Sequence, residues 1–179
     1  MSEIDIRLAA IEDAQLIIDH VLEMIDEPDN NLLTGPGEFN YTLEQEVRYI
    51  EDINSSDNSV LFLAFDGPGL VGEIHIRGGH RKAEYHTGVL GISVSRGYRN
   101  RGIGSRLMQT CLDWAREESP LKRVELRVFS YNDAAIHVYK KFGFEIEGRR
   151  RRSIFKGGKY IDDLLMAVLL DGEILDLSG

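Results

Sequence analysis

Segments with a two-residue hydrophobic period alternate along this chain with segments of 3.6-residue period, and that alternation predicts a mixed α/β fold with one central sheet covered by helices. Two further observations support it. A glycine-rich turn inside "SRGYRNRGIGSRLMQ" (Ser95–Gln109) joins a strand-like stretch to a helix-like one past mid-chain, and 179 residues at 42% hydrophobic content suffice for one buried core. The expected organisation is one domain over residues 1–170 and a short tail at 171–179.

The elements follow in order. "IDIRLA" (Ile4–Ala9) alternates like a strand, and Ala14, Ile17, Ile18, Val21, Leu22 and Ile25 then recur at helical spacing over Ile11–Ile25. Asp26–Tyr41 holds two prolines and two glycines and reads as a long loop, of the kind that in a compact domain serves function. Thr42, with Gln45 and Glu46 close behind, is the N-cap signature of a second helix running to about Asn54. Ser59–Asp66 and Leu70–Gly78 flank "GPG" as an antiparallel hairpin, and Ala83–Ser95 reads as a longer strand. The helix Gly102–Glu118 presents Ile103, Leu107, Met108, Cys111, Leu112 and Ala115 on one face and stops at Pro120. Arg123–Ser130 is a strand; Asn132–Phe144 is a helix with Asn132 as N-cap and Gly143 as its stop. Two closing strands, Glu145–Phe155 and Lys159–Leu169, flank the turn "KGGK". No internal repeat or low-complexity segment interrupts this order.

A net charge of −9 and a pI near 5.0 argue against a nucleic-acid partner, which would need clustered Lys and Arg to neutralise phosphates. Cys111, the one cysteine, lies on an apolar helix face, so no disulfide framework exists and a reduced setting is expected. "MSEIDIRLAA" lacks the basic and apolar regions of a signal peptide, and nowhere do 18 apolar residues run together, so a cytoplasmic protein without a membrane partner is expected. His75, His80 and His86 are separated by alternating strand faces and a loop, which excludes a metal site built from them. The run Arg149–Arg152 would alternate faces if it lies in a strand, as surface charge.

Glycines at the mouth of a helix make an anion site, because unpaired backbone N–H groups and the positive end of the helix dipole face whatever docks there. Two phosphate loops can be tested on spacing. Gly97 and Gly102 have the Walker spacing, but Ile103 and Gly104 follow where Lys and Ser or Thr belong. In "GIGSRL" Leu107 stands where the third glycine of a dinucleotide fingerprint belongs. What remains is Arg99, two residues, Gly102, one residue, Gly104, between a strand and a helix.

In these segments the chain resembles the GNAT superfamily of acyl-CoA-dependent N-acetyltransferases. "LGISVS" with "RGYRNRGIGSRLM" is similar to that family's pyrophosphate-binding signature: Arg or Gln, two residues, Gly, one residue, Gly or Ala. "YNDAAIHVYKKFGFEIEG" is similar to its second signature, an Asn-opened helix ending in Tyr and Gly-Phe, and the order of elements over Ile4–Leu169 is the family's order. The resemblance implies a mostly antiparallel sheet of about seven strands, splayed in the middle and flanked by about four helices. It implies acetyl-CoA as cosubstrate and no metal. Ile92, Ser93 and Val94 would pair with the pantetheine arm as a neighbouring strand would. Arg99, Asn100, Arg101, Gly102, Ile103, Gly104 and Ser105 would cradle the pyrophosphate, the glycines letting the backbone approach and the arginines adding charge-assisted bonds. Asn132 would contact the pantetheine or the amine side of the cleft.

The reaction so implied is attack of a neutral amine on the thioester carbonyl and departure of the CoA thiolate, with Tyr139 as general acid, since a phenol of pKa about 10 keeps its proton at neutral pH. Many relatives place a glutamate on the central strand at the position held here by Gly88, so the usual base is absent. Glu84 and His86 on the same strand and Glu73 on its hairpin neighbour are the candidates. The demand for a base depends on the acceptor: deprotonating a lysine-like amine at pH 7 costs about 4–5 kcal/mol and an α-amine about 1–2 kcal/mol. The acceptor expected is an amino acid, a polyamine-like metabolite or a protein N-terminus, with the acidic loop Met24–Asn31 as its lid. A non-catalytic acyl-CoA sensor is the reading from another class, and a homodimer through the closing strands follows family habit.

Overall fold

The computed structural model describes residues 3–28 and 30–171; Asp29 and residues 172–179, nearly all of the expected tail, lie outside them. The elements are β1 (Ile4–Leu8), α1 (Ala14–Asp26, entered through a 3-10 turn at Ile11–Asp13), α2 (Leu43–Asn54), β2 (Val60–Asp66), β3 (Gly69–Gly78), β4 (Thr87–Val94), α3 (Ile103–Glu117), β5 (Arg123–Phe129), α4 (Asp133–Lys141), β6 (Glu145–Lys156) and β7 (Lys159–Leu169). The seven strands form one sheet in the order β1-β2-β3-β4-β5-β7-β6, antiparallel except where β4 meets β5. That pair is joined through the crossover helix α3, as parallel strands require.

The helix ends follow their sequence signals. Thr42 Oγ1 accepts from Gln45 N at 3.2 Å while Gln45 Oε1 accepts from Thr42 N at 2.9 Å, a reciprocal cap on α2. Asn132 Oδ1 accepts from Ala135 N to open α4. Gly143, at φ +88°, ends it in the left-handed region that glycine alone enters without strain.

Two hydrophobic layers sandwich the sheet. Val60, Phe62 and Ala64 of β2 with Ile74 and Ile76 of β3 pack against Leu107, Met108, Cys111 and Leu112 of α3. Leu61, Leu63 and Phe65 face the other way, onto Ala14 and Ile17 of α1 and Ile50 and Ile53 of α2. β2 is therefore apolar on both faces. Among the described residues no helix is long and apolar enough to cross a membrane.

Four expectations change. β4 begins at Thr87 rather than Ala83, because Glu84 N bonds to Arg81 O and Thr87 N to Glu84 O, closing Arg81–Thr87 into successive turns that leave Glu84 and His86 off the strand. Leu22 of α1 is exposed, and His20 is buried on that helix instead. The first turn of the expected helix at Ile11 is 3-10, with the Asp13 carboxylate held by Arg7 at 2.7 Å. The Arg149–Arg152 run does not alternate: pairing with β7 shifts register between Arg150 and Ile154, and Arg152 takes φ +53°.

Candidate active site

β4 pairs with β5 over only Thr87–Val89, against Arg123–Glu125. Beyond Val89 the two strands part. Parity shows which groups face the opening: Ser95 N bonds to Val71 O and Thr87 O accepts from Gly79 N on the β3 side, whereas His86 O accepts from Lys122 N and Arg123 N on the β5 side. The backbone groups of Leu90, Ile92 and Val94 therefore face the gap, as a strand edge able to pair with an extended ligand. Val94 O accepts from Arg99 Nε at 2.9 Å.

At the end of β4 the chain enters α3 through Asn100 (φ +61°) and Gly102 (φ +80°). Among the described residues no side chain caps α3, so its first amides keep donors that an anion could take. Among the described residues a Cβ built on Gly104 would meet only Val94 Cγ2 at 3.9 Å and Ile92 Cδ1 at 4.0 Å, which are ordinary contacts that leave the approach uncrowded. This geometry fits a coenzyme pyrophosphate. The arginines of the turn are less free than their number suggests. Arg99 forms an ion pair with Glu27 and reaches Met24 Sδ, Arg106 donates to Ile4 O at 2.9 Å, and Arg101 lies 5.0 Å over the Tyr98 ring. Arg99 thus braces the turn against the end of α1.

The opposite face of β3 and β4 carries a cavity of about 370 Å³. Register sets Glu73 opposite Ser93 and His75 opposite Gly91, and all but Gly91 line it with Arg77. Ile17, Val21 and Met24 of α1, Glu46 and Tyr49 of α2, Leu61 of β2, and Leu32, Thr34, Glu38, Phe39 and Tyr41 of the long loop complete the wall. Gly91 is small because His75 lies over it: a Cβ there would fall 2.5 Å from His75 Cε1. Burial, reinforced by the nearby Glu46 carboxylate, pushes the Glu73 carboxyl up to about 7. Burial pushes His75 down to about 4, so it is neutral at pH 7, and raises Glu46. Arg77 Nε donates to Tyr49 Oη at 3.1 Å with the guanidinium 4.7 Å over that ring, and among the described residues it has no ion pair within 4 Å. Ser93 Oγ is held by His20 Nε2 at 2.9 Å, and Ser95 Oγ lies 3.3 Å from His20 Nδ1, which ties α1 to β4.

Of the carboxylates singled out in the sequence, Glu73 lies in this cavity. Glu84 is exposed on the β3–β4 connection, 3.9 Å from Arg81, and His86 is exposed there too. Gly88 explains why its position supplies nothing: a Cβ there would strike Ile76 Cγ2 at 2.4 Å and Leu121, on the α3 side of the sheet. Tyr139 is also on that side, part-buried against the α3 core with its ring 6.0 Å from Phe144, and burial pushes its phenol up to about 12. Asn132 is committed to capping α4.

Glu46, Tyr49 and Arg77 are not visible as a group in the sequence. One signal exists: Glu46 precedes Ile50 and Ile53 at helical spacing, a carboxylate on an otherwise apolar stripe, and it is 2% exposed.

Residues 28–144 match the family model described as "Acetyltransferase (GNAT) family". The L-amino acid N-acetyltransferase AaaT of Escherichia coli is 37% identical over 107 residues, which are 60% of this chain and 65% of that protein, so the match spans a little under two thirds of the relative's length. Among solved structures, an acetyltransferase of the GNAT family from Streptococcus pneumoniae is 33% identical, with TM-score 0.90, over 93% of this chain and 99% of its own. YncA of Salmonella typhimurium, solved with acetyl-CoA, shares the fold at TM-score 0.83 and 16% identity, over 95% of each chain. With the family model matched over 28–144, the splayed β4–β5 pair and the uncapped glycine turn at α3, the chain belongs to the GNAT acetyltransferase family.

Proposed function

We propose that this protein is an acetyl-CoA-dependent N-acetyltransferase acting on a small primary amine. The observation that carries the reading is Glu73: a carboxyl poised near neutral pH, in a cavity of small-molecule size, on the strand beside the unpaired edge of β4. Bound acetyl-CoA supplies the acetyl group and leaves as its thiol. The α3 amides from Ile103 to Ser105 and the glycines at 102 and 104 hold its pyrophosphate, and the edge Leu90–Val94 aligns its arm. Glu73 takes a proton from the acceptor ammonium, directly or through one water, which it does best because its pKa lies near the working pH. Tyr139, whose proton burial retains, stands on the other face of the sheet as the donor to the departing sulfur. The lack of a glutamate at position 88 favours a sensor; a carboxyl on β3 answers that objection.

Among acceptors, an α-amino acid has specific support. Arg77 offers its terminal nitrogens to a carboxylate at the cavity wall, next to the apolar side chains of Val21, Met24 and Phe39, and the relative AaaT is named for L-amino acids. Self-association through the closing strands belongs to the same reading, supported by Phe155 and Tyr160, which are 65% and 66% exposed side by side on the β6–β7 hairpin.

Thermal shift with acetyl-CoA, followed by thiol release over a panel of amines, tests this. Turnover is expected with amino acids above their decarboxylated amines, and Tyr139→Phe is expected to lower kcat about 10–100-fold while leaving acetyl-CoA affinity intact. Absence of an acetyl-CoA shift would sink the reading; a shift without turnover on any amine would leave a sensor.

A further inference from the structure

Lys156, the last residue of β6, reaches across to the α1–α2 loop. Its Nζ donates to Asn30 O at 2.9 Å, Asn30 Oδ1 at 2.7 Å and Leu32 O at 2.7 Å, and lies 5.8 Å over the Phe129 ring. An ammonium has three N–H donors, and all three go to uncharged oxygens of one loop more than 120 residues away in sequence. A lysine at a hairpin tip ordinarily stays in water. This one is part-buried and, among the described residues, makes no ion pair, so its desolvation is compensated by those three uncharged oxygens and the Phe129 ring face.

The loop is already folded around the residue that Lys156 grips. Asn30 is 8% exposed; its amide donates to Ile25 O at 2.7 Å and Glu27 O at 3.1 Å, and its Oδ1 accepts from Leu32 N at 3.1 Å. The next turns of this segment carry Leu32, Thr34, Phe39 and Tyr41, which wall the cavity. Phe129, beneath the ammonium, ends β5 on the far side of the β4–β5 opening. The tie therefore runs from the strands beyond the opening to the loop that covers the cavity.

We infer that Lys156 is a positioning residue for the acceptor: it fastens the loop 30–41 in the conformation that closes the cavity, and it touches neither the acetyl donor nor the reacting atoms. The inference rests on the reading of that cavity as the amine site. The acetyl donor site is built from β4 and the α3 turn, which Lys156 does not contact, so the two substrates should respond differently to its loss.

Lys156→Met removes all three donors at nearly constant volume. The expected result is a rise of about tenfold or more in acceptor KM, with kcat within about threefold and the acetyl-CoA dissociation constant within about twofold, as for loss of an interaction that orders only the acceptor site. Lys156→Arg, which keeps the charge and several N–H donors, should recover part of that loss. Amide hydrogen exchange should quicken over residues 31–41 in Lys156→Met and not over Leu90–Ser105. An unchanged acceptor KM in a folded variant overturns the proposal, as does an equal loss for both substrates. If Lys156→Met does not fold, Lys156→Gln is measured on the same criteria. If the wild-type protein turns over no amine, the function proposed above fails, while the exchange experiment still decides whether Lys156 holds the loop.

Discussion

A carboxyl that titrates near neutrality makes a signature on two separate properties. At Glu73 burial raises the pKa to about 7, so the fraction able to act as base falls as the pH drops through that value. The acid limb of kcat/KM should therefore have an apparent pKa near 7, and Glu73→Gln should abolish that limb and lower kcat/KM about 10²–10⁴-fold. Stability carries the opposite sign. The folded state holds this proton between about pH 4.5 and 7 where the unfolded chain has released it, so the wild type loses stability as the pH rises through that window. Glu73→Gln should then be the more stable protein at pH 8, by on the order of 1–3 kcal/mol, and equal to it near pH 4. Denaturant midpoints at the two pH values check this; a destabilised variant at pH 8 would contradict the burial argument.

At the scale of elements, the turn into α3 concentrates the backbone demands of the proposed coenzyme site. Gly102 sits at φ +80° as the N-cap, and a Cβ added there would have no neighbouring atom within 4 Å, so alanine would be opposed by conformation and not by crowding. Gly102→Ala should cost about 1–2 kcal/mol in stability, and it should weaken acetyl-CoA binding by more than the drop in melting temperature would suggest, because the α3 amides turn with it. Titration calorimetry and a melting curve on the same sample separate the two effects. Gly104, open toward the same approach but of ordinary φ, should tolerate alanine in the melting curve and not in the titration.

The whole molecule is two layers sharing one interrupted sheet. Its exposed hairpin aromatics give an expectation at this scale: sedimentation should report a dimer that Phe155→Ser with Tyr160→Ser returns to a monomer without loss of the melting transition. Local patterns were enough to read most of the elements. Thr42 and Asn132 as caps, Gly143 as a stop, the apolar face of α3 and the bounds of β7 are short-range consequences of side-chain donors, glycine backbone freedom and periodicity. The glycine turn was legible for the same reason, since its spacing is itself the constraint. The strand expected at Glu84 is absent because Ala83–His86, where Ala and Glu favour strands poorly, closes into turns packed against Gly79 and only Thr87 onward joins the sheet. That Glu73, and not Glu84 or His86, lines the cavity follows from the β3–β4 register, which sets one strand parity toward α1 and α2 and the other toward α3. Arg77, Tyr49 and Glu46 meet only because α2 lies across β3, and Lys156 finds Asn30 only when the closing hairpin folds back over the opening in the sheet. The sequence alone determined the family, the order of elements and the glycine turn into α3, all of which reside in contiguous residues. Tertiary structure alone decided which carboxyl enters the cavity and what closes it, because burial and long-range pairing set a side chain's pKa and partners.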